Sequence, residues 1–138
     1  MLVNAVYFKG HWHHKFSAHE TKRRSFYTSS GAAQPVHMMS LRGKKFRYAC
    51  QPGGVDAHVL ELPYRGSLVA MTLILPRRGA SLDSVERQLL AQPDMFRRVV
   101  RLDGGRRERV FLQLPKFKLE FMKEVCLCVS AQVNSVLF

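Results

Sequence analysis

Apolar positions along the chain fall into strand-like runs first, helical stripes second and strand-like runs again. Met1-Leu2-Val3-Asn4-Ala5-Val6-Tyr7-Phe8 is almost continuously apolar and rich in β-branched and aromatic residues, as expected of a strand buried on both faces. Asn4 interrupts it. Asn is depleted from strands, and a buried amide without partners costs about 1–3 kcal/mol, so this residue implies a polar network inside a sheet. Lys9-Gly10 ends the run. Residues 21–28 fit another strand, and Ser29 to Pro35 a loop of small residues. Phe46-Arg47-Tyr48-Ala49-Cys50 alternates, and Pro52-Gly53-Gly54 turns the chain. Val59 to Leu62 and Leu68 to Leu75 predict an antiparallel meander joined by a tight Tyr64-Arg65-Gly66 turn.

Ser81 and Asp83 are candidate helix caps, with Glu86 as the capping-box partner of Asp83. Leu82, Val85, Leu89 and Leu90 then share one helical stripe. Pro93 suits the first turn of a second short helix, whose apolar residues are Met95, Phe96, Val99 and Val100 and which Gly104-Gly105 ends. A strand pair follows, Val110, Leu112 and Leu114 and then Phe117, Leu119 and Phe121, with Pro115 at the bend. Residues 123–138 read as a weak helix, apolar on several sides. The pattern is α+β, mostly antiparallel sheet with two or three short helices.

The segment from Asn4 to Trp12, N-A-V-Y-F-K-G-x-W, with Phe16 and Thr21 beyond it, resembles the third main-sheet strand of serpins, the loop-inserting serine protease inhibitors. Val36-His37-Met38-Met39 is similar to the family's V-x-M-M segment, and Val59 to Gly66 to its V-L-E-L-P-Y-x-G hairpin. Met71 to Pro76 resembles the strand after it, Leu82 to Leu90 the next helix, and Leu114-Pro115-Lys116-Phe117-Lys118 its L-P-K-F-K block. Val136-Leu137-Phe138 resembles a common hydrophobic tripeptide. These blocks follow the family's order and spacing across the whole chain.

The resemblance implies one incomplete serpin domain over 1–138, from the third main-sheet strand through the helix preceding the fifth. The N-terminal helices and the reactive-centre loop are not in it. It implies a parent that traps a serine or cysteine protease by loop insertion; lacking the bait, the chain itself is expected not to inhibit. Strand 1–8 alone would be an unpaired apolar edge, an aggregation hazard. Asn4 matches the position that latches the sheet shut through a histidine on the fifth strand, and Trp12 the aromatic where the loop first enters. Met122-Lys123 and Gln132-Val133 depart from the family, in the second case losing a glycine suited to a helix terminus.

Composition adds less. The 138 residues, 46% hydrophobic, suit one domain with an ordinary core. No apolar run approaches the roughly 18 residues of a membrane span, so no membrane partner is expected. The three cysteines are odd in number, and Cys126-x-Cys128 is too close for an ordinary disulfide; free buried thiols are expected. Neither Asn4 nor Asn134 begins a glycosylation acceptor.

Charge changes the picture. The net charge is +12 and the pI about 10.3. Arg97, Arg98, Arg101, Arg106, Arg107 and Arg109 face only Asp103 and Glu108 between positions 97 and 109, six minus two giving +4. At about 100° per residue, Arg97, Arg98 and Arg101 span one arc of their helix, opposite its apolar residues. Arg106, Arg107 and Arg109 are expected to extend this ridge into the next strand. Guanidinium groups suit sulfate and phosphate clusters, so a heparin-like glycosaminoglycan is the expected partner, against the plainer reading of a solvated face. Lys22-Arg23-Arg24 and Arg42-Gly43-Lys44-Lys45 read as solvated strand ends and loops. His11-x-His13-His14 lacks an acidic or cysteine ligand at a characteristic spacing and reads as a surface loop, not a metal site.

No hydrolase or phosphate-loop motif is present, and neither enzymatic activity nor a cofactor is expected. Two alternatives stand beside the inhibitor fragment: a non-inhibitory binding module on the same scaffold, and a basic β-rich nucleic-acid-binding domain. The second requires aromatics exposed among the arginines, whereas Phe96 and Phe111 are expected to pack. An extracellular location is expected, with the cytoplasm as the alternative.

Overall fold

The computed structural model describes residues 10–28 and 31–117. Asn4 with its strand, the predicted strand Phe117 to Phe121 beyond its first residue, the helix over 123–138 and the Cys126/Cys128 pair lie outside these residues.

Among the described residues, five antiparallel strands form one sheet: β1 (Lys22–Tyr27), β2 (Ala33–Cys50), β3 (Ala57–Pro63), β4 (Ala70–Pro76) and β5 (Arg106–Pro115). The order is β1-β2-β3-β4, with β5 also paired to β2. β2 is the organising strand, pairing with β1 over its first part, with β5 along its middle and with β3 at its end. Helices α1 (Leu82–Ala91) and α2 (Pro93–Val100) connect β4 to β5.

The expected loop Ser29 to Pro35 is shorter, because β2 already begins at Ala33 and Pro35 lies opposite Ser25. Proline lacks the N–H that a second ladder would need, and among the described strands only β1 pairs with this stretch. Arg42 to Lys45 is likewise not a loop. Leu41 lies opposite Leu112 and Lys44 opposite Val110, so β2 takes one residue more than β5 between those pairs. This is a β-bulge, and Gly43 supplies the left-handed φ of 67° within it. Met39 and Leu41 before the bulge, and Phe46 and Tyr48 after it, therefore reach the same face of the sheet.

On that face Leu41, Phe46, Leu60, Leu62, Val110, Leu112 and Leu114 form one buried cluster, with Trp12 and Phe16 packed against it. Each such side chain contributes about 1.5–3 kcal/mol when fully buried. The opposite face carries the helices: Ala49, Val55, Ala57 and Val59 pack with Val85 and Leu89 of α1, Val99 of α2 and Leu102. The sheet is thus covered by apolar side chains on both faces around β2 and β3, with the helices on one.

α1 starts where the Ser81 hydroxyl accepts from the Ser84 amide at 3.1 Å. Its cap is Ser81 alone; Asp83 lies inside the first turn, so the expected Asp83–Glu86 capping box is not used. Val85 and Leu89 are buried, whereas Leu90, expected on the same stripe, is 68% exposed.

α2 opens at Pro93 as expected. Its end comes before Gly104-Gly105. The Asp103 amide bonds to the Arg98 carbonyl and the Leu102 amide to that of Val99, with Leu102 at φ 53°. This is a helix-ending motif in which glycine is the usual occupant. Leu102 is fully buried in the helix-side cluster, and that burial offsets its backbone cost of roughly 1–2 kcal/mol. Arg47 of β2 completes the end: its Nη2 donates to the carbonyls of Arg101 at 3.1 Å and Leu102 at 3.4 Å, while Nη1 donates to Glu61 at 3.1 Å.

The β3–β4 connection is longer than a tight turn. Leu68 is 95% exposed and β4 starts only at Ala70, because Ser67 bonds back to Tyr64, and Tyr64 to Val69, across a wider loop. Cys50 is free as expected but exposed, since it ends β2 beyond the apolar cluster.

Candidate functional site

Two places carry the residues singled out in the sequence. The first is the junction at Trp12. The chain from His11 to His13 lies beside the β3–β4 loop, joined by an antiparallel bridge between Trp12 and Tyr64. The His13 amide donates to the Pro63 carbonyl at 2.9 Å, and the Arg65 amide to that of His11 at 2.7 Å. The Trp12 and Tyr64 rings stack with centroids 4.3 Å apart and planes 18° from parallel. Burial pushes the Tyr64 hydroxyl pKa up, so the phenol stays neutral. Trp12 is thereby fixed by an aromatic partner whose role its own sequence block does not announce.

Beside Trp12 opens a cavity of about 550 Å³, lined in part by Phe16, His37, Met39, Lys15 and Lys116. His14 is not a plain surface-loop residue: its ring meets Phe46 edge-on at 5.6 Å. Burial, with His13 and Lys44 nearby, lowers its pKa.

The second place is the arginine surface. Arg97, Arg98 and Arg101 are exposed at α2, as the helical spacing predicts. Arg97 stands 3.9 Å from Asp94, a contact so exposed that it holds little energy. Taking Arg97 as zero, about 100° per residue puts Met95 near 160° and Val99 near 200°, and these two pack inward. Phe96 and Val100 fall near 260° and 300°, off the buried direction, and both are exposed, Phe96 by 44%.

Strand alternation divides the other three arginines. Arg107 lies opposite Arg47 and Arg109 opposite Lys45, on the side where Arg47 meets the end of α2. Arg106 lies opposite Tyr48 and Glu108 opposite Phe46, on the other side. The structure brings Arg107 and Arg109 together with α2 and turns Arg106 away. Sequence reasoning missed Arg42, Lys45 and Arg47 as part of this surface, because their cross-strand partners depend on a register set by the bulge. Phe111, expected to pack inward, carries the Arg42 guanidinium 4.2 Å above its ring centroid. Among the described residues, no group of histidine, cysteine or acidic side chains could hold a metal.

An antiparallel sheet built around one long bulged strand, with two short helices on one face, is a partial serpin architecture. A family model, Serpin (serine protease inhibitor), matches residues 1–127, and the chain belongs to the serpin family. It is 38% identical over 127 residues to Serine protease inhibitor 42Dd of Drosophila melanogaster, covering 91% of this chain and 31% of that protein. It is 41% identical over 120 residues to Antithrombin-III of Ovis aries, covering 87% of this chain and 24% of that protein. Among solved structures, Cleaved Serpin 42Da superposes with a TM-score of 0.68 at 34% identity, over 83% of this chain and 29% of that one. A tumour suppressing serpin gives 0.70 at 26% identity, over 80% and 29%. The chain thus spans less than a third of the length of these relatives. Serpins are non-catalytic inhibitors, and the chain is not an enzyme.

Proposed function

We propose that a protein containing this segment inhibits a serine or cysteine protease as serpins do, that the segment by itself does not, and that its arginine surface binds a heparin-like glycosaminoglycan. Inhibition is supported by family membership, which carries the expectation of a protease trapped while a cleaved loop enters the main sheet. The test is incubation of a full-length serpin containing this segment, and separately of the segment alone, with trypsin-like and chymotrypsin-like proteases. A complex that survives denaturing electrophoresis is expected of the full-length protein and not of the segment; steady cleavage of the full-length protein without a complex would instead favour the non-inhibitory binding scaffold.

Polyanion binding rests on one observation: Arg97, Arg98, Arg101, Arg107 and Arg109 stand exposed on one side of the molecule. Planar guanidinium groups match sulfate oxygens, and several such groups together release counterions on binding. Heparin affinity measured against salt checks this. With four arginines contributing, log K falls against log salt with a slope of about −3. A flat response, or no change when Arg97, Arg98 and Arg101 become Ala, ends the reading. A sulfated polysaccharide partner implies an extracellular setting, with the cytoplasm as the alternative.

The exposed Phe96 beside Arg97 favours a second reading, single-stranded nucleic acid stacked on an aromatic. Competition between heparin and an oligonucleotide, with and without Phe96→Ala, separates the two.

A further inference from the structure

We infer that the polyanion surface does not stop at the arginines of α2 and β5 but crosses onto β2 along the helix side of the β2–β5 ribbon. There Arg42, Lys45, Arg107 and Arg109 form a strip for the same linear sulfated polysaccharide. The inference rests on the polyanion reading above and adds to it Arg42 and Lys45 of β2, which the arginine ridge does not contain.

The strip follows from register. Lys45 is directly opposite Arg109, and Arg47 directly opposite Arg107. Like charges in facing positions oppose strand pairing, and here two such pairs are adjacent on one side. Glu61 answers Arg47, whose second amino group is committed to the end of α2. Among the described residues no carboxylate forms an ion pair with Arg42, Lys45, Arg107 or Arg109, and all four are exposed. A bound polyanion would relieve this repulsion.

Position joins the strip to α2. Arg47 ties the carbonyls of Arg101 and Leu102 to β2, so the cationic end of α2 sits over the start of the strip. From there Arg107 and Arg109 repeat on one side of β5 every second residue, about 7 Å apart. Arg42 follows over Phe111, roughly 14 Å from Arg107 along the strand. Charges spread in a line over a sheet face suit a polymer more than a small anion.

Phe111 also selects the polymer. The Arg42 guanidinium lies over one face of its ring at 4.2 Å, so that face holds the cation in place and is closed to a base. The strip supplies charge without stacking, as sulfated sugar requires.

The test measures binding of the full chain to long-chain heparin over a salt series. The variants are Arg42→Gln/Lys45→Gln, Arg97→Ala/Arg98→Ala/Arg101→Ala and Phe111→Leu, each checked by circular dichroism. Because it removes two cations, the glutamine pair is expected to make the slope shallower by about 1.4–1.8. Phe111→Leu keeps every charge, so the slope should hold while affinity falls roughly two- to fivefold, the worth of a cation held over a ring. It also serves if the paired variant does not fold. An unchanged slope in the glutamine pair, alongside a shallower one in the α2 variant, overturns the strip and leaves the α2 reading standing. No slope in the unaltered chain overturns both. An oligonucleotide of equal charge that outcompetes heparin, and does so through Arg42 and Lys45, overturns the assignment to a polysaccharide.

Discussion

Tyr48 and His58 form a neutral pair in the folded chain, with the hydroxyl oxygen 2.6 Å from Nδ1. Burial, then Cys50, raises the Tyr48 pKa; burial, then Arg77, lowers that of His58 against the opposing pull of Asp56. A depressed histidine pKa means that the unfolded chain, near 6.5, takes up protons before the folded chain does. Stability from this source is complete above about pH 6.5 and is lost as pH falls from there towards the folded value. His14 shifts in the same direction and adds to the effect. Urea midpoints should therefore be lower at pH 5.5 than at 7.5, and His58→Gln should narrow the gap. An equal gap in the variant would remove His58 as its source. The cross-strand neighbours Cys50 and His58 are both visible in the sequence, but nothing there places them in register.

At the scale of the element, periodicity locates both helices and their buried Val85, Leu89 and Val99, but extends each apolar stripe too far, to Leu90 in α1 and to Phe96 and Val100 in α2. Ser81, not Asp83, caps α1, and the distinction is measurable. Ser81→Ala should cost about 1 kcal/mol in denaturant unfolding. Asp83→Ala, which loses only a favourable charge near the helix start, should cost about 0.3–0.5 kcal/mol. Equal losses would contradict the Ser81 cap. α2 shows why a sequence-based end falls too late: a glycine pair is the usual stop signal, but a leucine in the left-handed region stops the helix earlier because its side chain is buried there. Spacing alone groups Phe96 and Leu90 with the core. A short helix on a sheet buries a narrow arc, and residues beside that arc remain in solvent whatever their polarity.

Across the whole molecule, the family, the α+β class and the α2 arginines are legible as contiguous motifs. The two-sided packing of the sheet and the cations of β2 are not, because both depend on which residue of β2 stands opposite which residue of β5. The first half of β2 sends its odd-numbered side chains to the cluster around Leu112, and the second half sends its even-numbered ones. The switch falls at Gly43. Replacing Gly43 with alanine would meet open space and cost about 1 kcal/mol for the backbone alone. Excising Gly43 would leave Arg42 facing Phe111 and Lys44 still facing Val110, an unbroken ladder with every apolar side chain on its present face. Excising Phe111 instead would make Val110 and Leu112 sequence neighbours and send one of them away from the leucines. The first deletant should keep a cooperative unfolding transition, and the second should lose it and bind hydrophobic dye. Gly43 is thus a slack link, a point where the polypeptide could shorten by one unit over evolutionary time without turning itself inside out.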